Sequence, residues 1–266
     1  MKLRGGRVAL DGVQLDELDP SIVIRSIDPG TTQENVTTAN MMGGAGTRIT
    51  GEHWTTLEAT VVYAIDIPKT QLQERRRVFD LVNDWAAQKG WLTVSWMKGK
   101  RMQVDKVVFP SSGFLWEWTA EFTLVFRGYN VPFWRDSTST TAKSKTTSGG
   151  SVSIELGGQV TTTLAATFEN KSGKQIDNIT ITVKSGSTQV SRMVFANLAL
   201  GGSDSLVIDH NHGVLRIRKK SGNTYTSAYA KFTGSDDLWA EPGESTVEFT
   251  ADRAVVLTVS GVGRYV

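Results

Sequence analysis

Leu238-Trp239-Ala240-Glu241-Pro242-Gly243-Glu244-Ser245-Thr246-Val247-Glu248-Phe249 sets a turn against a strand. Proline at 242 fixes φ, and glycine at 243 accepts φ > 0. Val247 and Phe249 then alternate with Glu248, as a strand with one buried face requires. The segment predicts a β-hairpin.

Strand signals of the same kind recur upstream between turns, at residues 152–156, 163–168, 179–183, 190–198, 205–208, 214–218, 228–232, 245–250 and 254–260. Strands spaced by about 8–12 residues, with no helical stretch among them, predict a β-sandwich over residues 151–266. Before it, residues 137–150 are serine, threonine, lysine and glycine with almost nothing to bury, which predicts a linker. No internal repeat of solenoid or propeller type is evident.

Residues 1–136 follow another pattern. Ile22, Ile24 and Ser26 fall on one side of an early strand. Residues 28–56 are mostly turn and loop formers, and predict a long flexible hairpin or arm. Its glycine cluster, Met41-Met42-Gly43-Gly44-Ala45-Gly46, lacks the Gly-Lys-Ser/Thr and the following helix of a phosphate-binding loop, since Thr47-Arg48-Ile49-Thr50 leads toward a strand.

Leu57, Ala59, Val61, Tyr63, Ile65 and Ile67 alternate along a long strand that Pro68 ends. Thr70-Gln71-Leu72-Gln73 has the spacing of a capping box. Leu72, Phe79, Val82 and Ala86 then recur at helical spacing up to the stop at Lys89-Gly90. Arg75, Arg76 and Arg77 spread over about 300° of that helix and cannot all face one ligand, so they read as a solvated face with one arginine at a subunit boundary. Trp116, Trp118, Ala120, Phe122, Leu124 and Phe126 form an aromatic stripe, which strict alternation assigns to a sheet packed on the helix rather than to a stacking platform.

The chain has 266 residues, no cysteine, and 29 Lys+Arg against 27 Asp+Glu, a formal charge of +2. The length suits two domains, and the charge balance advertises neither nucleic acid nor membrane. Without cysteine, thiolate catalysis and cysteine zinc sites are excluded. No apolar run approaches the ~20 residues of a bilayer span, and the N-terminus is too soon charged for a signal-peptide core, so the chain is expected to stay in the cytosol until assembled. Asp209-His210-Asn211-His212-Gly213 contains zinc-ligand types, but the spacing suits a hairpin tip better than a tetrahedral site. No nucleophile elbow, His-Glu-x-x-His helix or carboxylate pair occurs. The chain is expected to be no enzyme, with no catalytic residue, cofactor or metal.

In layout the chain resembles the distal tail protein (Dit) family of long-tailed phages. The matching pieces are the N-terminal strand, the glycine-rich loop, the long strand and helix, the strand closing on Val131-Pro132-Phe133-Trp134, and the segment 238–249 with Arg264-Tyr265 at the end. The resemblance implies a mainly β protein of two domains. A ring-forming, tail-tube-like β-sandwich or split barrel with one helix would occupy residues 1–136, and a galectin-like β-sandwich residues 151–266. It implies a structural component of the virion tail tip, assembled in the bacterial cytoplasm as a homo-hexameric ring. The ring would join the tail tube to the tip, with tail-tube, tape-measure and tail-tip proteins as partners. Phage DNA would pass through without sequence-specific binding, and no membrane would be entered. Met41, Met42, Gly43, Gly44 and Arg48 are the candidate subunit-interface loop, and Trp239 a candidate glycan contact. The other reading is a carbohydrate-binding two-domain β protein.

Overall fold

The computed structural model describes residues 6–40, 47–109, 121–211 and 214–266, with the backbone alone for residues 34–40 and 47–53. Asp11 and Gly12 hold φ of 47° and 85°, the pair of left-handed residues that a two-residue hairpin turn needs. They join β1 (Val8–Leu10) to β2 (Val13–Gln14). Then follow β3 (Ile22–Asp28), β4 (Thr32–Asn40), β5 (Thr47–Ile65), α1 (Leu72–Ala87), β6 (Gly90–Val94), β7 (Lys100–Val104), β8 (Lys106–Val108) and β9 (Phe122–Gly128). One antiparallel sheet of this unit runs β2-β1-β6-β7; the other runs β3-β5-β9-β8, with β4 also paired to β5.

The alternation along β5 sends Leu57, Ala59, Val61 and Tyr63 inward, opposite Gly128, Phe126, Leu124 and Phe122 of β9. Helix α1 covers this face. Phe79 lies 5.1 Å from Phe122 and Trp85 6.1 Å from Phe126, ring centre to ring centre, and the Trp85 indole donates to the Val13 carbonyl at 3.0 Å. Of the aromatic stripe, Phe122, Leu124 and Phe126 are core; Trp116, Trp118 and Ala120 lie outside the described residues.

Three local expectations need correction. The helix begins at Leu72 with Gln71 at its cap, one residue later than the capping box requires, and no side chain caps it; Leu72 is exposed. Ser26 is exposed and Ile27 buried, because a bulge between Ile24 and Ser26 shifts the alternation by one. Arg75 is not solvated: it is 3% exposed, and its Nη1 donates to the carbonyls of Ile65 (3.0 Å) and Ile67 (2.8 Å) at the end of β5. Arg76 and Arg77 are exposed, pairing with Asp80 and with Glu74 and Asp19.

Among the described residues the regular elements of the second unit are all strands apart from one short 3-10 turn. Its elements are β10 (Trp134–Asp136), β11 (Thr140–Lys143), β12 (Thr147–Leu156), β13 (Thr162–Thr163), β14 (Ala165–Asn170), β15 (Ile179–Ser185) and β16 (Thr188–Phe195). After them come β17 (Ser205–Asn211), β18 (Val214–Ser221), β19 (Thr224–Ser227), β20 (Phe232–Gly234), β21 (Trp239–Ala240), β22 (Gly243–Gly261) and β23 (Arg264–Tyr265). The organising strand is β22. Its first half lies between β12 and β15, and its second half between β11 and β14. It changes partners across residues 251–254, so one layer is β12-β22-β15-β16-β20 and the other β11-β22-β14-β17-β18-β19. The layers share one core in which Phe168 of one meets Phe249 of the other edge-on at 6.0 Å. This is a sandwich by packing.

The division between the two compact units falls between Trp134 and Arg135. Residues 137–150, expected to be a linker, carry β11 and the start of β12, both paired to β22. A strand at the edge of a layer needs few apolar side chains, because its ladder to β22 supplies the hydrogen bonds. The expected hairpin at Pro242-Gly243 is also corrected. Gly243 does take φ 94°, but the strands on either side pair elsewhere, β21 with β13 and β22 with β12 and β15.

Candidate interaction surfaces

Two regions carry the chemistry: an arm on the first unit and a polar face on the second. The arm is the hairpin of β4 and β5. Between Gln33↔Thr56 and Asn40↔Thr47 it pairs only with itself among the described residues, whereas β5 from Leu57 onward is also bonded to β9. Its base is clamped by the Val131-Pro132-Phe133-Trp134 segment. The Thr32 hydroxyl donates to the Pro132 carbonyl at 2.5 Å, the Trp134 indole to the Pro29 carbonyl at 3.0 Å, and Trp54 meets Phe133 edge-on at 5.7 Å. Gly30 is required there: with φ 66°, an added Cβ would sit 1.6 Å from the Glu58 carbonyl oxygen.

Of the candidate interface loop, Met41, Met42, Gly43 and Gly44 lie outside the described residues. Arg48 stands on β5 opposite Ala39. The candidate glycan contact, Trp239, is 38% exposed between buried Leu238 and Ala240, and its backbone is held at both ends by the Ser191 hydroxyl. The exposed tyrosines of this unit, Tyr225 and Tyr229, belong to β19 and the 3-10 turn after it, not to the β13–β21 pair that carries Trp239.

Asp209 and His210 are strand residues, with only His212 and Gly213 of the expected tip outside the described residues. The His210 Nε2 lies 2.9 and 2.8 Å from the two carboxylate oxygens of Asp237, and Asp209 accepts from Arg216 at 2.9 Å and from Arg218 at 2.6 Å. No group of three metal-ligating side chains occurs among the described residues. Asp209 and His210 line a polar cleft of about 180 Å³ with Arg135, Thr163 and Arg264. Burial, with Arg135 nearby, pulls the Arg264 guanidinium down to about 10, against the opposing effect of Asp237. Sequence inspection missed the His210–Asp237 pair because the two are 27 residues apart, His210 on β17 and Asp237 in the connection between β20 and β21, and no local spacing encodes that approach.

A self-paired hairpin arm on a two-sheet unit, joined to a β-sandwich with a charged outer surface, defines a class of two-unit, mainly β proteins. No protein-family model and no curated protein matches the sequence. Among solved structures, the SPP1 Dit (gp 19.1) protein, described as a paradigm of hub adsorption apparatus in Gram-positive infecting phages, has the same fold. It aligns over 98% of this chain and 99% of its own at a TM-score of 0.67 and 13% identity. The phage P2 baseplate in its activated conformation with Ca aligns over 97% of both chains at a TM-score of 0.48 and 9% identity. The fold resemblance read from the sequence layout is thus found in three dimensions.

Proposed function

We propose that this chain is a structural, non-enzymatic component of a long-tailed phage or prophage tail tip, a ring adaptor joining the tail tube to the tip complex. The observation that carries the reading is the end-to-end likeness to the SPP1 Dit protein, 98% of one chain on 99% of the other. In this reading the first unit forms a hexameric ring and the second is a galectin-like module. Tail-tube, tape-measure and tail-tip proteins are the partners, and the ring resides in the virion after assembly in the bacterial cytoplasm.

The β4–β5 hairpin fits such a role, because a strand pair that before Leu57 is bonded only to itself among the described residues presents open edges to a neighbouring subunit. Its tip, from Met41 to Gly44, and Arg48 beside it would lie across the next subunit. Native mass spectrometry with negative-stain images of the purified chain tests this. A closed ring is expected, reduced to single subunits when residues 38–48 are replaced by a short turn. A strictly monomeric parent chain at high concentration, with no ring in assembled tails, would overturn it.

A further inference from the structure

The outer face of the layer β11-β22-β14-β17-β18-β19 is read directly from its register. One row across the strands runs Val256, Glu169, Ser205, Lys220, Tyr225; the next runs Lys143, Thr258, Thr167, Val207, Arg218, Ser227. Their neighbours in sequence, Phe168, Leu206, Ile217 and Leu257, point the other way into the core. Arg216 continues the cations of β18 along this face, and Lys171 reaches it from the end of β14, where its Nζ lies 3.0 Å from Glu169.

Five cations therefore share the face with two carboxylates, Glu169 and Asp209. Asp209 is already divided between Arg216 and Arg218, and Glu169 is held below the usual carboxylate range first by its Lys171 bond, with Lys143 and Lys220 adding to the effect. Five cations against two carboxylates give this face a formal +3, where the whole chain nets only +2. At one end the face runs into the cleft that holds Arg135 and Arg264.

We propose that this face binds a flexible anionic polyol chain, a hydroxyl-rich polymer with phosphodiester links, lying across the strands from Tyr225 toward Lys143. Six strands at their usual separation span about 24 Å, room for several repeats of such a chain. Three features select the occupant. The face lacks a cluster of apolar anchors at its centre of the kind a folded-protein interface uses, since its exposed large apolar side chains, Tyr225 on the edge strand β19 and Val214 at the start of β18, stand apart. A peptide strand added to the edge at β19 would run along the strands and leave Lys143 on β11 out of reach. A nucleic acid would need open ring faces for its bases, but Arg218 already stands 4.4 Å over the Tyr225 ring. Between the charges lie the hydroxyls of Thr167, Thr258 and Ser205, suited to a polyol backbone.

The inference does not depend on the ring reading, because binding is measured on the whole chain in whatever oligomeric state it takes. Poly(glycerol phosphate) of about ten repeats is titrated calorimetrically into the protein at about 50 mM salt. With about four phosphate contacts, affinity should fall about twentyfold on raising salt to about 150 mM. The double variant Lys143→Glu/Lys220→Glu should lose at least about tenfold. Lys98→Glu/Lys106→Glu, which changes the same total charge on the first unit, should stay within about twofold, and the milder Lys143→Gln/Lys220→Gln pair checks that any loss is not misfolding. Dextran, oligothymidylate and polyglutamate of matched length are the competitors. Absence of poly(glycerol phosphate) binding, equal loss in the control variant, or equal or tighter binding of any competitor would each overturn the proposal.

Discussion

The Tyr265 hydroxyl donates to Asp136 Oδ1 at 3.0 Å, tying the last strand of the second unit to its first. The Asp136 N–H adds a bond to the Gly263 carbonyl at 3.1 Å. The joint is close-packed: a Cβ on Gly263 would lie 2.4 Å from Asp136 Oδ2, and one on Gly157 would lie 2.7 Å from the Tyr265 hydroxyl. Tyr265→Phe should destabilise the unit by about 1 kcal/mol, the value of one such bond. Burial, and then the Asp136 carboxylate, raise the Tyr265 phenol above its ordinary 10. A raised folded value means this contribution is full below about pH 10 and fades as pH climbs through the shifted value. Urea melts at pH 8 and above pH 10 should therefore show the variant closer to the parent in alkali.

Arg75 is a buried cation of the first unit. One guanidinium nitrogen serves two carbonyls, so Arg75→Met should destabilise this unit by about 2–4 kcal/mol, whereas Arg76→Ala on the exposed side of α1 should change it by no more than about 0.5 kcal/mol. Thermal melts followed by tryptophan fluorescence compare them. Similar small effects in both would mean that Arg75 is dispensable for joining α1 to the end of β5.

Those two arginines mark where the sequence is legible. Periodicity gives the long strand, the helix, and most strands of the sandwich, because burying one face imposes a repeat of 2.0 or 3.6 residues. Arg75 carries the apolar face's position but not its residue type; only the place where β5 ends explains it. Residues 251–254 look like a turn in one dimension, yet they are where β22 changes layers while continuing to residue 261. Strand β11 and the start of β12 were hidden because edge strands satisfy their backbones without an apolar pattern. The basic outer face was invisible for a related reason. Its cations come from β11, β18 and the residue after β14, and are assembled only by the register.

Trp239 is expected to support little neutral-sugar affinity. Its indole is partly exposed, but the unit's exposed tyrosines, Tyr225 and Tyr229, belong to β19 and the 3-10 turn after it rather than to the β13–β21 pair, and Tyr225 has its ring face against Arg218. A glycan site needs convergent stacking and polar groups. A neutral glycan array and calorimetry should give no micromolar binder. Specific micromolar binding lost in Trp239→Ala would instead favour the carbohydrate-binding reading.

Where the chain is cut decides whether the second unit folds alone. A fragment of residues 151–266 discards β11 and the start of β12, which pair with β22 at Thr140↔Gly261 through Lys143↔Thr258 and at Gly149↔Thr250. It also strips the cover from Val259 and loses the bond from Leu257 N to the Ser144 hydroxyl at 3.0 Å. An exposed strand edge of this length invites pairing with another chain. The fragment 135–266 keeps those ladders and the Asp136–Tyr265 tie. We expect 135–266 to melt cooperatively as a soluble species, and 151–266 to aggregate or melt at least several degrees lower. Circular dichroism melts and sizing of both fragments distinguish the cases. Equal stability would mean that β11 and the first residues of β12 are accessory to the sandwich.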